Sequence, residues 1–422
     1  MGSVDAIPMD GGRRDEILDT ASQLFASSGL RTSLLEIADA CGIQPGSLYH
    51  HFDSKEAIVV ELVQRYHGEL DRIAETALEE LKGSDPRLVL ERIVSLGTAI
   101  AQCAVRHSAA VQFTFYEPPV DSSRELVQLT RRALTGIETA MLETLRVGRS
   151  SGCIRSGIDL VVLADRVCQT MLHVGLGLFH RFPAVDRVAG RLCQILLYGV
   201  ATVSPKDTQL DRSNALRAVE RVMQTWNEGD ERSEDDRAAL IRVAARSEFG
   251  RRGYEVTTIR DIASAAGLSI GTVYRMIGSK EELLASIMRS FTKKVVDGWN
   301  AAFGSDSTTV EKLDAVAWLQ INVLDRFRDE FKIQLAWFRQ SPPDTPNLEW
   351  SLPAVLRQLK TLLSEGARLG EIRIESPSAE LTARCIIELT WIPEEIVRSA
   401  GKRGALTHAR NTLLRGVAER ST

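Results

Sequence analysis

Apolar residues recur every third or fourth position over most of the chain, which is the spacing of a helix with one buried face. Ile17, Leu18, Ala21, Leu24 and Phe25 begin the pattern ahead of Gly29, and Leu240, Ile241, Ala244, Ala245 and Phe249 repeat it ahead of Gly253. Between these stretches the same spacing predicts helices over 59–81, 88–105, 109–116, 123–148, 160–182 and 188–202. The breaks fall at Gly83 to Pro86, Pro118-Pro119, Gly152 to Gly157 and Pro183. Helices this long with short connections pack as bundles, so the expected fold class is all-α.

The pattern contains a copy of itself. Residues 33–56, SLLEIADACGIQPGSLYHHFDSKE, return as residues 258–281, TIRDIASAAGLSIGTVYRMIGSKE, with nine of the 24 paired positions identical. Ser33 stands three residues before Glu36 and Thr258 three before Asp261, the spacing of a reciprocal helix cap. Gly42 and Gly267 suit the left-handed residue that closes a helix, and a second helix is predicted from Pro45 and from Ile270. Two short helices about a glycine turn make a helix-turn-helix or a structural hairpin. Lys55 and Lys280 each follow a serine cap, where the helix dipole disfavours a cation, so an external anion such as phosphate is expected there.

Both copies resemble the DNA-binding segment of the TetR family of transcriptional regulators. The first matches through Gly29, Thr32, Ile37, Ala38, Gly42, Gly46, Ser47, Leu48, Tyr49, Phe52 and Ser54-Lys55-Glu56. The second matches through Gly253, Thr257, Ile262, Ala263, Gly267, Gly271, Thr272, Val273, Tyr274 and Ser279-Lys280-Glu281, and departs at Ile277, where the family has an aromatic residue. The resemblance implies a three-helix reading unit followed by an all-helical ligand domain whose last two helices form a dimer interface.

The duplication extends into the bundles. Residues 111–116 before Pro118-Pro119 line up with 333–338 before Pro342-Pro343, Gly152-Cys153-Ile154-Arg155 with Gly370-Glu371-Ile372-Arg373, and 196–200 with 413–417. The expected architecture is therefore two tandem TetR-like subunits packed as an intrachain pseudo-dimer through 159–202 and 378–419. The expected divisions are a flexible tail at 1–12, reading units at 13–58 and 237–284, ligand and dimerisation domains at 59–203 and 285–422, and a linker at 204–236. Ala215, Leu216, Val219, Val222, Met223 and Trp226 give that linker one amphipathic helix.

Composition narrows the chemistry. In 422 residues, 44% are hydrophobic and 26% charged, as in ordinary globular protein. No run of 18 uninterrupted apolar residues occurs and the first residues lack a basic, apolar leader, so a cytoplasmic protein without membrane contact is expected. Six cysteines without rhythm and seven histidines without metal-ligand spacing suggest neither disulfide nor metal, and no cofactor is assigned. No nucleophile with a base points to an enzyme, and no catalytic residue is assigned. Net charge is −4; residues 13–56 hold four basic and seven acidic side chains, and residues 235–282 eight and seven. A double-stranded DNA partner thus rests on the motif rather than on a basic footprint.

The expected DNA-facing set is Thr32, Ser33, Gln44, Pro45, Ser47, Tyr49, His50, His51 and Lys55, with Thr257, Thr258, Ser269, Thr272, Tyr274, Arg275 and Lys280 in the second unit. Gln44 suits adenine and Arg275 guanine, while the tyrosines fit either a DNA contact or packing. Because the two faces differ, the operator need not be palindromic. The ligand candidates are Gln112, Phe113, Tyr116, Met141, Met171, His173 and Phe179, then Trp318, Gln334, Trp337, Phe338 and Trp391, which equally suit a plain core. A small apolar effector, steroid-like or acyl-chain, is expected to release a repressor from DNA. The rival reading is a protein-interaction scaffold whose heads no longer bind DNA. A chain acting as its own pseudo-dimer leaves higher oligomers open.

Overall fold

The computed structural model describes residues 10–28, 32–83, 85–114, 118, 122–176, 178–179, 184–226, 236–254, 256–340, 352–374 and 378–419. The first reading unit comprises α1 (Asp10–Ser28), α2 (Leu34–Ala40) and α3 (Pro45–Tyr49). Its bundle comprises α4 (Lys55–Leu81), α5 (Val89–Arg106), α6 (Ser108–Phe113), α7 (Arg124–Thr130), α8 (Thr135–Ser150), α9 (Leu160–His173) and α10 (Val185–Tyr198). The linker carries α11 (Asp207–Leu210) and α12 (Asn214–Thr225). The second unit comprises α13 (Asp236–Arg252), α14 (Ile259–Ala266) and α15 (Ile270–Ile277). Its bundle comprises α16 (Lys280–Phe303), α17 (Thr309–Arg326), α18 (Arg328–Gln340), α19 (Leu352–Arg368), α20 (Ala379–Thr390) and α21 (Glu394–Ala409), the last continued by a π-helical turn over 410–415. Among the described residues there is no strand, only two isolated bridges.

Each bundle is built round one apolar helix. The span Pro86–Arg106, which contains α5, is long and apolar enough to cross a bilayer, with mean hydropathy 1.5. Here it is a core helix instead, surrounded by α4, α8, α9 and α10. α17 holds the corresponding place among α16, α18, α19 and α21. The linker helix α12 adds to the second bundle by burying Ala215, Leu216 and Val219 against α16 and α17. Trp226 then packs edge-on against Phe327, with ring centroids 5.1 Å apart. At the other end of the linker, the buried Arg410 guanidinium binds Asp314 at 2.8 Å and Asp211 at 2.8 Å. The linker thus runs along the second body from the interface towards α18.

The two halves pack as a pseudo-dimer, and the bonds between them come in equivalent pairs. Val200 N donates to Leu413 O at 2.9 Å and Val417 N to Leu196 O at 3.1 Å. Arg155 N donates to Val417 O at 3.0 Å and Arg373 N to Val200 O at 2.8 Å. The bridges Ile154–Ala418 and Ala201–Ile372 repeat the exchange. Gly199 and Gly416 have positive φ and lie so close that a Cβ on either would strike the backbone of the opposite segment. Reciprocal contacts of this kind are the mark of an isologous interface. Arg166 and Arg384, both fully buried, extend the pairing. Arg166 donates to the carbonyls of Leu389 and Trp391, and Arg384 to Leu178 O.

Two expected helices differ. The stretch 123–148 breaks into α7 and α8 because the turn between them is tied to α4: His67 Nε2 bonds Leu129 O at 2.9 Å and Arg132 binds Asp71 at 2.8 Å. The helix expected over 160–182 ends at His173 and continues as a 3-10 turn, where Gly175 lies against the Ala104 carbonyl of α5 with no room for a side chain.

Candidate nucleic-acid interface

The reading units form as their caps dictate. Ser33 N donates to Glu36 at 2.6 Å while Ser33 Oγ accepts from Glu36 N at 3.2 Å; Thr258 and Asp261 repeat this at 2.8 and 3.2 Å. Bonds from Ser33 and from Thr258 hold the Glu36 and Asp261 carboxyls below their usual range. Gly42 and Gly267 close the first short helices at φ of 64° and 65°. Ile17, Phe25, Ile37, Ala38 and Leu48 bury in the first unit, and Ile241, Phe249, Ile262, Ala263 and Val273 do so in the second.

This packing sets which side chains face out. Gln44, Ser47, Tyr49 and His50 are exposed around α3, as are Ser269, Tyr274 and Arg275 around α15. Tyr49 and Tyr274 are each 54% exposed, so neither ring is buried in its unit. Pro45, His51 and Thr272 are half-buried, and the Ser269 and Thr272 hydroxyls bond each other at 2.9 Å. Ser33 and Thr258 are exposed, with their side chains engaged in the caps.

Several expected residues face inward. Thr32 and Thr257 are 3% and 1% exposed. Thr257 Oγ1 donates to Gly253 O at 2.7 Å and Thr32 Oγ1 to Leu24 O at 3.4 Å, so they tie off the preceding helix rather than meet DNA. Lys280 Nζ donates to Tyr254 O at 2.8 Å and to Thr257 O at 3.0 Å and lies 4.2 Å from the Tyr254 ring centre. Carbonyls of its own unit, rather than an external anion, therefore account for a lysine at this helix start. Lys55 is half-buried, and burial lowers its pKa, with Glu36 opposing. Arg14 binds Glu61 at 3.0 Å with its guanidinium 4.1 Å over Phe52, joining α1 to α4. Arg260, outside the expected set, is exposed on α14 next to the Thr258 cap. The sequence signal for it is a cation two positions beyond a helix cap.

Both units rest on the second body. On α18, Glu330 receives Arg246 of α13 at 3.1 Å, and Asp329 touches Gly250 where a Cβ would clash. The first unit's α1 packs on α6, through Phe25 and Phe113 at 5.4 Å, and also against α18. The reading units therefore sit at one end of the molecule.

Of the expected ligand residues, His173, Gln334 and Trp391 converge on one cavity, together with Phe291, Trp299 and Phe331. Phe113, Met141, Met171 and Phe179 are buried elsewhere in the core, Gln112 is half-buried, and Trp318 lies under the Arg403 guanidinium at 4.5 Å. Tyr116 and the side chains of Trp337 and Phe338 lie outside the described residues. Glu69, Cys103 and His107 gather within 4.8 Å. His107 and Arg106 already engage Glu69, and burial pushes the Cys103 thiol up to about 12, against the thiolate a metal requires.

Comparison with known proteins agrees with the repeat. Residues 17–62 and 241–287 each match the model for bacterial regulatory proteins, tetR family. The HTH-type transcriptional repressor KstR2 of Rhodococcus jostii (strain RHA1) is 37% identical over 200 residues, which span 45% of this chain and 92% of that repressor. KstR2 of Mycolicibacterium smegmatis is 42% identical over 87 residues, 19% of this chain and 42% of the relative. A solved ketosteroid transcriptional regulator, KstR2 of Mycobacterium tuberculosis, is 27% identical, covers 46% of this chain and 94% of its own, and has a TM-score of 0.36.

Proposed function

Since the chain belongs to the tetR family of bacterial regulatory proteins and is a DNA-binding regulator, we propose that it is a repressor that grips a non-palindromic operator with two unlike reading helices. The observation that carries this reading is that α3 and α15 present different exposed side chains from one chain whose halves are joined by reciprocal bonds. With the units fixed to their bodies, the recognition helices would meet successive major-groove turns, about 34 Å apart. Gln44 would read adenine and Arg275 guanine, with Tyr49 and Tyr274 on phosphate or a thymine methyl. Lys55 and Arg260 would position the units on phosphate.

A small apolar effector, steroid-like or acyl-chain, would release the operator by favouring a spread of the units that no longer fits the groove. It can do so only through its preference for the spread state.

A gel shift against DNA upstream of the chain's own reading frame tests the reading. Retardation by folded protein at low salt supports it, whereas none at all favours a scaffold that docks a protein partner. The acidic first unit, with four basic and seven acidic side chains, is what keeps that second reading in view.

A further inference from the structure

Equivalent positions of the two halves meet across the intrachain interface, and at one place the equivalence breaks. His173 and Trp391 each stand seven positions beyond the paired Arg166 and Arg384, yet one is a histidine and the other a tryptophan. Their rings pack with centroids 3.9 Å apart, and the Trp391 ring also stacks on Phe331 of α18 at 6.0 Å and 13°. Both residues border a cavity of about 80 Å³, walled by α16, α18 and α20 and closed from the first half by His173, Leu176 and Leu178.

The wall is apolar apart from a few groups, and two of these are buried donors without a partner: Gln334 Nε2 and Trp391 Nε1. Gln334 is only 8% exposed. Its amide nitrogen and the indole N–H can only donate, so what they lack is an acceptor. The charged lining group is Glu388, whose carboxylate meets His173 Nδ1 at 2.9 Å; among the described lining residues there is no lysine or arginine. A carboxylate entering here would be unpaired and beside a like charge, whereas a neutral carbonyl would supply the missing acceptor.

We propose that this cavity is a single effector site per chain, for a neutral, largely apolar molecule that presents one carbonyl oxygen to Gln334 and Trp391. The proposal rests on the effector-controlled reading above and makes it specific. One site follows from the broken symmetry, because the counterpart of Trp391 is His173, which already lines the same cavity. The space is smaller than the ~300–1,000 Å³ of ordinary ligand clefts, so a long-chain ketone must push the wall outward. That wall includes α18, on which both reading units rest.

The test is calorimetric titration and native mass spectrometry of the full chain with 2-undecanone and with undecanoic acid at about pH 8. One ketone should bind per chain, with the acid at least about tenfold weaker. Gln334→Leu and Trp391→Phe, shown to be folded by thermal melting, should each weaken the ketone about five- to tenfold, the loss of one hydrogen bond. Two ketones per chain, an acid bound as tightly, no ketone bound, or unchanged affinity in folded Gln334→Leu would each overturn the proposal. Stoichiometry and the ketone-over-acid order are read on the unsubstituted chain, so they decide even where a variant fails to fold. The regulatory reading fails separately: if one ketone binds but the protein retards no DNA, the site stands and the operator function does not.

Discussion

Tyr49 and Tyr274 hold the same place in two copies of one motif and are equally exposed, while their neighbours Leu48 and Val273 are completely buried. Such local alternation separates exposed side chains from packed ones. Arg275→Ala should change base preference at one half-site, whereas Lys55→Ala should weaken all sequences alike and lower the salt slope by about one. Binding-site selection with titrations at several salt concentrations checks both, and identical behaviour of the two variants would sink the division. Lys280→Ala should instead cost stability, on the order of 1.5–3 kcal/mol for bonds from a charged donor, seen as a lower denaturant midpoint. His408 gives a pH signature: burial, with Arg166 adding, holds its pKa at about 3 against 6.5. The unfolded chain therefore takes up a proton between pH 6.5 and about 3 that the folded chain refuses. Stability falls across that window as pH is lowered, by up to about 1.4 kcal/mol per unit, and is unaffected by this group above it. The loss should shrink in His408→Phe when melting is compared with the parent chain at pH 7 and pH 4.5.

The elements that could be read from the sequence are those whose ends are written locally. Both caps, the closing glycines at 42 and 267 and the starts at Pro45 and Ile270 stand where the pattern puts them, because each needs only residues within one turn. What sequence could not supply came from distant partners. The break between α7 and α8 depends on His67 and Asp71 of α4, and the inward turn of Thr32 on the carbonyl of Leu24 in the preceding helix. The spacing suggests an external anion for Lys280 because the carbonyls that hold it come together only when the unit folds. Among the described ligand candidates, helical spacing alone could not reveal that His173, Gln334 and Trp391 share a cavity while Phe113, Met141, Met171 and Phe179 pack elsewhere. At this scale Gly199→Ala is diagnostic. With φ of 68° and ψ of 171° the backbone alone should cost about 1–3 kcal/mol, and the clash with the backbone around Leu414 adds to it. Urea unfolding should show that loss, and an unchanged midpoint would remove the close crossing from the interface.

At the scale of the whole molecule, a homodimer's symmetry is written into one chain and then broken. The interface keeps the pairing almost bond for bond, while the reading faces and the cavity do not. The linker packs along the second body, from Asp211 under Arg410 to Trp226 against Phe327, so the second unit starts beside α18. With acidic side chains offsetting the basic ones on both units, affinity should fall less steeply with salt than for a strongly basic binder. The most direct test of two unlike grips on one chain is operator selection combined with the mass of the protein–DNA complex. The account predicts one chain on a site with two different half-sites about one helical turn apart, and weaker binding to a palindrome of either half. Two chains on a palindromic operator would contradict it.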